Sequence, residues 1–161
     1  MGIFEVSASS LFVTASSQRA QMENIAQRVL GNALELFVAK KYDDAIATFK
    51  RAIGLAPQSN TAINAYDYMA RSYLGKGEAD KAVEAYGQSL KIDPQRAETH
   101  VSLGNLYISQ EQPEKASQAY EKAVALDPSA VNRYSLGQAY LETGRHDDAE
   151  RRAWIPFRRD G

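Results

Sequence analysis

The sequence predicts an all-α fold: a solenoid of antiparallel helix pairs, about three full repeats plus a partial fourth, preceded by a helical N-terminal arm. Three observations predict it. Ala45, Ala82, Ala116 and Ala149 recur at spacings of 37, 34 and 33 residues. Phe49, Tyr86 and Tyr120 follow the first three of these by four residues, which puts each pair on one face of a helix. Pro57, Pro94 and Pro128 close three units, where a fixed φ and a missing N–H stop a helix. A single helical hairpin cannot bury its apolar face, so units of this length stack and share a core.

The most regular unit, Ala97–Pro128, sets the frame. Its helix A is expected from Ala97 to about Gln110, with Leu103, Gly104 and Tyr107 on one face. Its helix B is expected from Glu114 to about Leu126, with Ala116, Tyr120 and Ala123 on one face. Small residues at Gly104 and Ala116 let the two backbones approach. Ala33, Ala70, Gly104 and Gly137 mark the small site on helix A, and Leu36, Tyr73, Tyr107 and Tyr140 lie three residues beyond. Gly75, Gly77 and Gly144 are expected in turns between helices. The interval from Pro57 to Pro94 exceeds 34 residues by three. Those residues are placed around Asn60–Ala62, where nearly one turn lengthens helix A of the second repeat. The unit after Pro128 is one residue short, trimmed before Tyr134. The expected organisation is an arm over 1–25, repeats over 26–59, 63–96, 97–129 and 130–150, and an atypical tail over 151–161.

The set of motifs resembles the tetratricopeptide-repeat (TPR) family. The residues that carry the likeness are Leu-Gly-Asn/Gln-x-Tyr in helix A (Leu103 to Tyr107, Leu136 to Tyr140), Ala-x3-Tyr/Phe-x2-Ala in helix B, and the closing Asp-Pro. It covers about Ala26 to Ala149. Repeat one departs at Val29 and Asn32, and repeat four leaves the pattern after Ala149. The resemblance implies a right-handed superhelix whose helices A line a concave face that holds an extended or helical peptide.

Composition narrows the function. The 161 residues carry a net charge of −1, so nothing in bulk draws the chain to nucleic acid or an anionic membrane. There are no cysteines, which excludes disulfides and thiolate chemistry. No apolar run reaches the ~18 residues that span a bilayer. The N-terminus has no basic start before Arg19, and Val6 stands where a myristoylation signal needs Ser or Thr. The chain is therefore read as cytoplasmic. His100 and His146 have no companion at metal-ligand spacing, so no metal site is expected. Asp43-Asp44 and Asp147-Asp148 open helices B and suit the helix dipole. No phosphate loop or nucleophile motif is present, so the expectation is no cofactor and no enzyme activity.

A groove remains. Stepping by three and four along helices A gives candidates for partner contact. These are Leu30, Leu34, Phe37 and Val38 in repeat one, and Asp67, Arg71 and Leu74 in repeat two. Repeat three offers Val101, Asn105 and Ile108, and repeat four offers Tyr134, Gln138 and Leu141. Family members that grip acidic C-terminal tails use a Lys, Asn and Arg clamp. The matching positions here hold Leu30, Leu34, Tyr68, Glu98 and Ser102, so the clamp is absent. The expected function is a protein–protein interaction module that binds an apolar or amphipathic segment, with Asp67, Arg71 and Asn105 fixing its register. The alternative is a self-assembling scaffold whose apolar ends, Ile3, Phe4, Val6, Leu11, Phe12 and Val13 at one terminus and Trp154, Ile155 and Phe157 at the other, form a homo-oligomer.

Overall fold

The structure, a computed structural model, describes residues 8–153, with side chains from Val13 to Arg152. Ile3, Phe4, Val6, the side chains of Leu11 and Phe12, and Trp154, Ile155 and Phe157 lie outside the described residues. The described residues form helices joined by short turns: α1 (Ala8–Val38), α2 (Tyr42–Leu55), α3 (Asn60–Gly75), α4 (Ala79–Ile92), α5 (Ala97–Ser109), α6 (Pro113–Leu126), α7 (Ala130–Glu142) and α8 (His146–Asp148). A π-helical turn, Ala149–Ala153, follows α8, which is where the repeat pattern lapses in the sequence. The helices group into two compact units, divided within α4 between Ala85 and Tyr86.

The irregular spacings have structural counterparts. α3 has 16 residues where α5 and α7 have 13, so the three extra residues sit in its first turn, at Asn60–Ala62. Ser59 caps that turn by accepting from the Ala62 N–H at 3.2 Å. The connectors Ala56–Ser59 and Asp93–Arg96 have four residues, and Asp127–Ser129 has three, which absorbs the short unit. Pro57, Pro94 and Pro128 each lie two residues past a helix end. Pro113 opens α6, where its missing N–H costs nothing.

All four hairpins turn through one geometry. Lys40, Gly77, Glu111 and Gly144 occupy equivalent positions with φ of 58°, 77°, 57° and 70°. In each, the next N–H donates back across the helix end: Lys41 to Leu36 O, Glu78 to Tyr73 O, Gln112 to Tyr107 O and Arg145 to Tyr140 O, at 2.8–2.9 Å. This is a Schellman closure, which calls for a left-handed residue and prefers glycine. Gly75 is not a turn residue, contrary to expectation. It ends α3, and the Tyr42 ring fills the space where its Cβ would stand, so close packing demands glycine there.

In the first unit α1 packs on α2 and α3, and α2 on α3. Ala26, Ala33, Ala45, Phe49, Ala62 and Ala70 are fully buried. Phe37 meets Tyr42 and Tyr68 with ring centroids 6.1 and 5.5 Å apart, and Phe49 stacks on Tyr68 at 6.2 Å. Lys76 bridges Asp43 at 2.6 Å and Glu78 at 2.8 Å, tying the first hairpin to the second. Those two carboxylates push the Lys76 ammonium above its ordinary range.

In the second unit α5 packs on α6, α6 on α7, and α7 on the π-helical turn. Its core joins Ala116, Tyr120, Leu136, Ala139, Tyr140 and Ala149. A Cβ on Gly104 would stand 2.5 Å from Tyr120 Cε1, so the expected close crossing of α5 and α6 is present. The Tyr140 hydroxyl donates to Glu121 at 2.7 Å while the Arg145 guanidinium lies 4.4 Å from the Tyr140 ring centroid. The buried Asn132 amide donates to Asp127 O and Oδ2, both at 2.9 Å, which fixes the connector into α7.

Candidate partner-binding surfaces

The groove candidates fall into two groups, one in each unit. In the first unit, Leu34 is half-buried and Val38 is 78% exposed. Phe37 is half-buried among aromatic rings and therefore belongs largely to packing. Asp67 is buried at 8% exposure, which corrects its expected place on an open surface. Arg71 is exposed and its guanidinium sits 5.0 Å from the Tyr68 ring centroid, held by a cation–π contact. Leu74 is partly exposed on the same helix.

In the second unit, Val101 and Ile108 are half-buried and pack against the core, with only part of each side chain available. Asn105 is exposed and accepts from the Tyr120 hydroxyl at 2.6 Å. That bond occupies its carbonyl and leaves its amide hydrogens to solvent. On α7, Tyr134 and Leu141 are exposed, and Gln138 Nε2 donates to the Tyr134 hydroxyl at 3.1 Å. Val131, 71% exposed, stands one turn before Tyr134 and was missed by the sequence reading. Its signal is simple: 131, 134, 138 and 141 step by three and four along one face. Val131, Tyr134 and Leu141 thus form an apolar stripe open to solvent, with Gln138 as its polar member.

Burial shapes the acid–base chemistry of this unit. It pushes the Tyr120 and Tyr140 phenols up to about 12, reinforced at Tyr140 by the Glu121 carboxylate. Both hydroxyls are structural donors. Among the described residues no cluster of three or more His, Cys, Asp or Glu side chains could hold a metal ion. No helix among the described residues is long and apolar enough to cross a membrane.

Two sequence-family models match the chain, each described as tetratricopeptide repeat, over residues 73–135 and over residues 7–60. Among solved structures, the MamA protein is 22% identical over 91% of this chain and 78% of that chain, with a TM-score of 0.68. The type III secretion chaperone SycD of Yersinia enterocolitica, in complex with a peptide of the translocator YopD, is 14% identical over 74% of this chain and 95% of that chain, TM-score 0.66. The Sgt2 TPR domain from Aspergillus fumigatus is 20% identical over 78% and 82%, TM-score 0.61. At these identities the likeness is one of fold. No curated protein matches the chain in sequence.

Proposed function

The chain belongs to the tetratricopeptide-repeat family, and on that premise we propose that it is a non-catalytic interaction module that binds an apolar or amphipathic segment of a protein partner on its groove-facing helices. The observation that carries the reading is the exposed stripe of Val131, Tyr134 and Leu141 on α7. Three apolar side chains left in water along one helix face mark a surface meant to be covered. Asn105 and Gln138 supply polar groups whose orientation is already set by tyrosine hydroxyls, so little ordering entropy is lost when they meet a ligand backbone. The SycD complex shows a neighbour of this fold holding a peptide, which is consistent with the mode.

Peptides selected from a displayed library of amphipathic sequences test this. Selected peptides should lose about ten-fold or more in affinity for a Val131→Ser, Tyr134→Ser, Leu141→Ser variant whose unfolding temperature is unchanged. The reading fails if they bind that variant as tightly as wild type, or if selection yields only acidic C-termini held by a basic pocket. In the first unit, Arg71→Glu separately tests whether that exposed cation contributes to partner binding: unchanged affinity shows that it does not.

A further inference from the structure

α1 is much longer than its partner. Its 31 residues span about 46 Å, against about 21 Å for the 14 residues of α2. Every residue from Val13 to Met22 is exposed, with Val13 at 64% and Met22 at 47%. A helical segment this short is marginal in water unless one face is packed. Beside it lies an open cleft of about 870 Å³, walled by Arg19, Met22 and Glu23 on one side and, on the other, by Leu55 at the end of α2, Pro57 of the connector and Asn60 at the start of α3.

The charges on this face carry a pattern. Glu23 is fixed, accepting from the Thr61 hydroxyl at 2.6 Å and from the Gln27 amide at 3.3 Å. Arg19 stands one turn earlier, exposed and without an ion pair among the described residues. The two lie equally far from Gln21, on opposite sides of it. A helix carrying + and − symmetrically about one point is its own antiparallel complement: a twofold axis at that point brings each cation to the other copy's anion.

From this charge complementarity we infer that the exposed Val13–Met22 stretch of α1 is a self-association surface, on which a second copy of this chain docks antiparallel across the level of Gln21. Arg19 of each copy faces Glu23 of the other, and the Met22 side chains of the two copies lie side by side along one flank of the pair. The interface is isologous, so it closes at a dimer. The inference does not rest on the groove reading, since it uses neither α5 nor α7.

Sedimentation velocity on the full chain at several concentrations tests it. Wild type should show a concentration-dependent dimer that weakens as salt rises. Arg19→Glu turns two attractive pairs into two repulsive ones and should raise the dissociation constant about ten-fold. Adding Glu23→Arg to that variant should bring it back to within about three-fold of wild type. Met22→Lys, at an exposed position outside the fold's core, should also weaken the dimer. The Val131, Tyr134, Leu141 triple variant should leave it intact, which separates this surface from the groove. A strict monomer up to about 1 mM, a dimer indifferent to both Arg19→Glu and Met22→Lys, a well-folded double variant no better than Arg19→Glu, or association that depends on α7 instead, each overturns the proposal.

Discussion

Replacing Glu111 with glycine should stabilise the protein. Glu111 holds φ at 57° in the turn between α5 and α6, and its side chain is exposed. A residue with a Cβ in the left-handed region costs about 1–2 kcal/mol. Glycine removes that cost but gives back about 0.4–1 kcal/mol through the freer unfolded chain. The net gain is therefore about 0.5–1 kcal/mol. Gly77 occupies the same place in the preceding hairpin with φ of 77°, so Gly77→Ala should lose a similar amount. Urea unfolding followed by circular dichroism reads both. With a slope of about 2 kcal/mol per molar urea, the midpoints should move by roughly 0.25–0.5 M in opposite directions at unchanged slope. A Glu111→Gly variant that is less stable than wild type, or a Gly77→Ala variant at the wild-type midpoint, would show that the shared turn geometry does not govern these positions.

Lys40→Gly should act like Glu111→Gly, because φ at Lys40 is 58°, and a thermal melt should rise by a few degrees at most. Gly104→Ala should cost about 1–3 kcal/mol, since the new methyl would meet the Tyr120 ring at 2.5 Å; the cost should shrink in a Tyr120→Ala background, and an unchanged cost in that double-mutant cycle would refute the contact. Alkaline pH should unfold the chain through Tyr120 and Tyr140. Their phenols ionise near 12 in the folded state and near 10 when unfolded, so stability is complete below about pH 10 and falls as pH rises through 12. Tyrosinate absorbance should show late ionisation that Tyr120→Phe and Tyr140→Phe remove, and simultaneous titration of all nine tyrosines near 10 without unfolding contradicts it.

Most of the architecture was legible because it repeats. The reference hairpin was placed to within a residue at its ends, and the extra turn of α3 and the shortened connector before α7 followed from counting between prolines. What stayed hidden needs contacts that no period reveals. Gly75 looked like a turn residue because turns and close approaches select the same amino acid; only the ring of Tyr42, 33 residues away, decides between them. Lys40 and Glu111 in left-handed conformations carry no sequence mark, since neither is glycine or asparagine. Among the groove candidates, periodicity names a face but not its depth. Phe37 and Asp67 lie on helices A as expected, yet one joins an aromatic cluster and the other is buried, while Val131 on the same stripe as Tyr134 is open.

The length of α1 has one more consequence. Its helical backbone runs without a break from end to end, but among the residues with described side chains, from Val13 onward, burial begins only near Glu23 and Ala26. Amide protons before that point should exchange with solvent by local opening, while those from Ala26 onward wait for the first unit to come apart. A single helix would then keep two clocks, with the step between them at Glu23, where the hydroxyl of Thr61 reaches across from the extra turn of α3.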